Sequence, residues 1–403
     1  MKTISSFLMS KIKSIVLKST VIALLVFIPI AGTFAKAKVQ SNNIAQFVYT
    51  SDLHYGLFRT FHGTSKTSAS NVNKFMINQM NTLPSYAFPN DNGLNAGKKV
   101  GGIDYMIITG DITNRQQDSI QSATASWAQF SVDYLNGGVT LTNSKNEKVP
   151  FLLSCGNHDV SNAIGYPKPM HPLVDATSMV NIYNLSMSPA IPKTNETFNY
   201  KTDNMNYTKD IVGVHIMFIR MWPDSANRVW MEKDLAKISK STPVIIFTHD
   251  EPNVEAKHFT NPNGNHDINS HDKFENLLEE KLKDGLTKKA PTTIEQKGFV
   301  AFLKAHENIK AYFHGDANSN EFYSYTGPDK DIKLPTFRVD SPIKGLVSGL
   351  EATDGKGDES KLSFQVISLD GASKSLTVRE CLWNTSGATS PLVWGATSTI
   401  SLK

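Results

Sequence analysis

Six residues of metal-ligand type stand at the ends of short apolar runs. Asp52 and His54 follow Gln46-Phe47-Val48-Tyr49-Thr50, and Asp111 follows Tyr105-Met106-Ile107-Ile108-Thr109-Gly110. Asn157 and His158 follow Pro150-Phe151-Leu152-Leu153-Ser154-Cys155-Gly156, and His249 follows Pro243-Val244-Ile245-Ile246-Phe247-Thr248. A fifth run, Ile309-Lys310-Ala311-Tyr312-Phe313, leads into His314-Gly315-Asp316-Ala317-Asn318. Carboxylate, amide and imidazole groups suit first-row divalent ions. A dinuclear site needs one carboxylate that bridges, further ligands on each side, and open positions for water and a phosphoryl oxygen, and this set is large enough for two ions. One such His or Asp alone is more often a loop or core residue; the ordered recurrence reverses that reading.

These residues need elements that hold them. The runs lack period-2 alternation and read as strands buried on both faces. Helical spacing separates them: Val72, Phe75, Met76, Met80 and Leu83 predict a helix that starts after Ser70 as a cap and stops at Pro84. Further helices are predicted over 117–135, with Ile120, Trp127, Phe130 and Tyr134, and over 227–238, with Val229, Trp230 and Leu235. Strand and helix thus alternate in an α/β fold, in which ligands gather beyond the carboxyl ends of strands. After Pro335 the runs become short and alternating, at 336–339, 362–367, 375–380 and 398–402, and predict antiparallel strands over 335–403 that complete a second sheet within one domain, 36–403. Residues 160–210 and 250–300 are polar and weakly periodic, as lids, substrate walls or mere decoration are. A second Gly-Asn-His-Asp at 264–267 lies in a turn-rich stretch with no strand before it. It reads as coincidence, or as a lid in which His258, His266 or His271 meets substrate.

The motifs in order, Asp-x-His at 52–54, Gly-Asp at 110–111, Gly-Asn-His-Asp at 156–159 and a strand ending in His249, resemble the calcineurin-like metallophosphoesterase superfamily over residues 45–320. The resemblance implies an α/β two-sheet sandwich flanked by helices. It implies two metal ions, Mn, Fe or Zn, with Asp52 and His54 on the first, Asp111 bridging, and Asn157 and His249 on the second. It further implies that a metal-bridging hydroxide attacks a phosphate mono- or diester, while His158, oriented by Asp159, stabilises the transition state and protonates the leaving oxygen. One motif departs from the family. Gly-His-x-His is expected at the last strand end, where this chain has Gly315-Asp316-Ala317-Asn318. Asp316 and Asn318 offer a carboxylate and a carbonyl instead, which shifts preference away from zinc; His314 is the other candidate ligand, although strand alternation points it elsewhere. Arg115 and Arg59 are candidate substrate-phosphate contacts or structural salt bridges. Asn114 stands where purple acid phosphatases carry an iron-binding tyrosine, so a tyrosinate–iron enzyme is not expected. The alternative is a non-catalytic binding protein of the same fold with a degenerate last motif.

Composition bounds the partners. Lys+Arg number 41 against 37 Asp+Glu, but Lys2, Lys11, Lys13 and Lys18 precede any acid, so the chain from Lys36 is balanced. Those lysines lead an apolar run, 21–28, and small residues up to Ala35. This pattern predicts a signal peptide over 1–35, a periplasmic or secreted protein, and no membrane anchor after its removal. A balanced chain has no global charge with which to bind nucleic acid, and the expected partner is a small phosphate ester. Cys155 and Cys381, both in apolar runs, are read as buried free thiols.

Overall fold

The computed structural model describes residues 43–114, 121–160, 176–199, 202–253, 293–344, 358–387 and 390–403. The signal-like segment 1–35, Arg115, and the second Gly-Asn-His-Asp with His258, His266 and His271 lie outside the described residues.

The apolar runs form the parallel centres of two sheets. In the first, β1 (Ile44–Thr50) lies beside β4 (Tyr105–Ile108), and β4 beside β5 (Phe151–Leu153), with Phe47 opposite Tyr105 and Met106 opposite Phe151. Between β1 and β4 in the chain, β2 (Phe58–Phe61) and β3 (Thr64–Ser68) make a separate hairpin. The second sheet has β7 (Val214–Phe218), β8 (Val244–Phe247) and β9 (Ile309–His314) in parallel, with β6 (Tyr207–Ile211) antiparallel at one edge. At its other side β11 (Leu334–Arg338) is parallel to β9, and β10 (Glu321–Tyr325) is antiparallel beyond it.

The strands after residue 335 do not all complete one sheet. The strand at 334–338 joins the second sheet, whereas β12 (Ser363–Asp370), β13 (Ser375–Leu382) and β14 (Val393–Ser401) extend the first from the open edge of β1. Alternation in β12 hides no exposed face, since Ser363, Gln365 and Ser368 are as buried as Phe364 and Val366.

Burial on both faces explains the unbroken apolar runs. In β8, Ile245 and Phe247 enter a core built from residues of both sheets, together with Phe47, Tyr49, Ile107, Phe313 and Phe337. Val244 and Ile246 enter the larger core that also contains helix residues such as Val72, Met76 and Phe299. Tyr49 of β1 meets Phe247 and Phe313 edge-on at 5.4 and 5.7 Å, which locks the two sheets face to face.

Helices cover this sandwich. Helix α1 (Ala69–Thr82) is capped by Ser68, which accepts from Asn71 N, and Ser70 instead donates to Asp133 at 2.7 Å. The helix therefore starts before the predicted cap. Helix α2 (Ala123–Phe130) continues as a π-helical turn, Ser131–Leu135. The remaining described helices are α3 (Asn157–Val160), α4 (Thr177–Met187), α5 (Ser225–Leu235), capped by Asp224, and α6 (Thr293–Ala305). Among the described residues, no helix is long and apolar enough to cross a membrane.

Candidate active site

The carboxyl ends of β1, β4, β5, β8 and β9 deliver the ligand-type residues to one place, and the backbone turns sharply there. Asp52 (φ 56°), His54 (φ 45°), Asp111 (φ 47°), Asp316 (φ 58°) and Asn318 (φ 56°) all adopt the left-handed conformation that side-chain-bearing residues disfavour. The loops brace one another: Asp52 N donates to Gly110 O at 3.0 Å, and His54 N to Asp111 O at 2.8 Å. Two glycines make room for the approach. A Cβ at Gly156 would run into Asp111 Oδ1 and His249 Nε2, and one at Gly315 into Ser51 Oγ and Asp52 Oδ2.

Asp111 lies at the centre, with its oxygens facing opposite ways. Oδ1 is 3.3 Å from His249 Nε2, while Oδ2 is 3.6 Å from His54 Nε2 and 3.8 Å from His158 Nε2. Asp52 Oδ1 is 3.6 Å from His54 Nε2, and Asp316 Oδ1 is 3.7 Å from His249 Nε2. Asn157 Oδ1 lies 3.1 Å from His249 Nε2. Three overlapping groups result, His54–Asp111–His158, Asp52–Asp111–His249 and His249–Asp250–Asp316, and within each the ligand atoms lie within 4.8 Å of one another.

The donor chemistry fits divalent cations. His249 Nδ1 faces the Thr109 carbonyl at 2.8 Å and must donate to it, so the neutral ring presents a lone pair at Nε2 toward the oxygens of Asp111, Asn157 and Asp316. Electron pairs gathered this way need a proton or a metal ion among them. Asp52 Oδ1 and both ring nitrogens of His54 are buried without a hydrogen-bond partner, which is costly unless a cation satisfies them. Burial works to lower His249, but Asp111, with Asp52 and Asp316 beyond it, overrides this and holds the imidazole well above its ordinary range. Burial pushes the Asp111 carboxyl up, yet His249, His158 and His54 outweigh it and hold the group well below the usual carboxylate range.

Two candidates, Asp159 and Arg59, stand differently from the sequence expectation. Asp159 does not touch the His158 ring. Its carboxylate accepts from Ile112 N, Thr113 N, Gly156 N and Ser178 Oγ, which ties the Asp111 loop to the Gly156 turn. Arg59 is enclosed, with Nε directed to Thr60 O and Nη1 to Pro342 O at 2.8 Å. His314, as strand alternation implies, turns away to Tyr323 Oη at 2.8 Å, and burial lowers it to about 3. Asn318 Nδ2 donates to Asp316 O at 2.6 Å, and its Oδ1, the atom expected to face a metal, is buried without a hydrogen-bond partner.

One residue at the site carried no signal in the sequence. Lys344 Nζ lies 3.4 Å from His158 Nε2. Burial drives His158 well below the ordinary imidazole range; Asp111 opposes this, and Lys344 adds to it. No local motif marks a lone lysine in a turn.

A family model described as calcineurin-like phosphoesterase matches residues 45–316. No curated protein matches the chain. Among solved structures, a protein assigned as a 5′-nucleotidase from Staphylococcus aureus, in complex with alpha-ketoglutarate, is 12% identical with a TM-score of 0.37, over 89% of this chain and 54% of that one. The chain thus spans about half of that protein. The calcineurin-like phosphoesterase YfkN from Bacillus subtilis is 11% identical with a TM-score of 0.27, over 89% of this chain and 91% of that one.

Proposed function

The chain belongs to the calcineurin-like phosphoesterase family, and on that premise we propose that it is a periplasmic or secreted phosphoesterase that hydrolyses phosphate mono- or diesters with two metal ions held on either side of Asp111. The observation that carries this reading is the Asp111 carboxylate, one oxygen toward His249 and the other toward His54 and His158. Asp52 and His54 would hold one ion, and Asn157 and His249 the other, with Asp316 and Asn318 in place of the histidines the family carries at the last strand end. Two such ions, Mn, Fe or Zn, supply Lewis acidity to phosphoryl oxygens and make water a competent nucleophile near neutral pH.

The chain's own residues do the rest. The Thr109 carbonyl fixes the tautomer that points Nε2 of His249 into the site. Asp159 acts as a positioning residue, because it holds the backbone on which Asp111 and His158 are mounted. His158 stands beside Asp111 and is the side chain assigned to hydrogen-bond the departing oxygen. The oxygen-rich ligand set at 316 and 318 favours Mn or Fe over Zn. Export is supported by the basic, apolar and small-residue order of 1–35.

The test is metal analysis of the purified chain followed by turnover of paired nitrophenyl mono- and diesters in Mn²⁺, Fe²⁺ and Zn²⁺. Two ions per chain with hydrolysis is the expected result. Less than one ion per chain with no turnover would sink the reading. For export, the chain recovered from the periplasm or medium should begin after Ala35 or Ala37, and an uncleaved cytoplasmic chain would refute that part.

A further inference from the structure

We propose that Lys344 is the phosphate-binding cation of this site, and that Arg59 serves it from behind as a positioning residue by holding the turn on which Lys344 is carried. The inference rests on the phosphoesterase reading and names the side chain that would grip the anionic substrate. Lys344 is half-buried, and its ammonium lies 3.4 Å from His158 Nε2. His158 is itself 3.8 Å from Asp111 Oδ2 and packs edge-on against His54 with ring centroids 4.7 Å apart. An ammonium at that place stands one residue away from the central carboxylate, within reach of a phosphoryl group bound there. It is a compact point charge, which suits nonbridging oxygens.

A surface lysine would carry little weight; this one is mounted on a braced turn. Ser341 Oγ donates to the Asp52 carbonyl at 2.7 Å and accepts from Ile343 N at 3.2 Å and Lys344 N at 2.9 Å. The turn is thereby fastened to the same loop that carries Asp52 and His54. Asp340 accepts from Ser341 N and from Ser363 N, which ties the turn to β12. Arg59 closes the frame from β2 by donating to the Pro342 carbonyl at 2.8 Å. The guanidinium that sequence suggested for phosphate is therefore engaged with backbone, and a cation two residues beyond its partner reaches the cluster.

The experiment titrates inorganic phosphate into the metal-loaded, exported chain by calorimetry, with metal content and thermal midpoint measured on each variant. Lys344→Ala should weaken phosphate binding ~10- to 100-fold, the loss expected for a charge-assisted hydrogen bond, with metal content unchanged. Lys344→Arg should recover most of the affinity. Arg59→Gln should weaken binding where Lys344 is present and add nothing in the Lys344→Ala background, as two residues acting through one contact require. If Arg59→Gln does not fold, the Lys344 pair decides alone. Equal phosphate affinity of Lys344→Ala and the parent, or loss of metal from Lys344→Ala, overturns the assignment and leaves the phosphoesterase reading standing. A metal-loaded parent that hydrolyses nitrophenyl esters yet binds no phosphate overturns the assignment alone, whereas a parent with neither metal nor turnover overturns both.

Discussion

His158 and Asp159 are adjacent in the chain and part company in space. Consecutive residues on a helical turn face directions ~100° apart, and both sit in α3, so the aspartate that sequence suggested as the partner of the imidazole serves the backbone instead. The ligand-type residues were legible because each ends an apolar strand. Lys344 was not, because what places it is a hydrogen bond from Ser341 to Asp52, between positions 289 apart. Two outcomes follow at this scale. Asp111→Asn should bring metal content below one ion per chain, because its two oxygens serve both sides of the cluster. His158→Ala should retain metal and lower kcat by ~10²–10⁴, as expected for loss of a group acting on the leaving oxygen. Metal analysis and steady-state kinetics on the two proteins check both, and equal turnover of His158→Ala and the parent would refute the role.

At the level of elements, strands were readable and their partners less so. The run 244–247 is apolar throughout because two cores claim alternate residues. Which sheet β12 joins depended on the open edge of β1, a fact about register that no local pattern carries. Helix starts moved by capping chemistry, and α5 shows a cost of such a cap. Asp224 accepts from Asn227 N at 2.8 Å, yet burial raises its carboxyl to about 6, from an ordinary 3.8, despite nearby Arg220. The folded state therefore binds this proton more tightly than the unfolded chain does. Its stabilising contribution is complete below pH ~4 and is lost as pH rises through ~6. Asp224→Asn keeps an N-cap acceptor and removes the buried charge. It should match the parent at pH 4 and exceed it by ~1–3 kcal/mol at pH 7, read from urea midpoints at the two pH values.

Across the whole molecule, the site lies where two sheets meet, with Asp52 and Asp111 on loops and Asn157 at the start of α3 on the side of one, and His249 and Asp316 on loops of the other. A long-range lock also braces the first sheet. Arg379 of β13 pairs with Asp91 through Nε at 2.7 Å and Nη2 at 2.9 Å, and lies over the Phe88 ring. Arg379 is fully buried, so Asp91→Ala should cost ~3–5 kcal/mol by leaving its charge unpaired, measured by denaturant unfolding. Cys155 and Cys381 are buried free thiols whose ionisation burial pushes up, and neither should react with a thiol reagent until the chain unfolds. The left-handed turns at Asp52, His54, Asp111, Asp316 and Asn318 set a further condition on this balance. The polypeptide is folded against its own local preference at the positions where it would take up metal, so holding the site open is a standing load on the apo protein. Metal should raise the parent's melting temperature in proportion to the logarithm of its concentration, so that in the compartment where the protein works, metal supply would govern how long the chain survives as well as how fast it turns over.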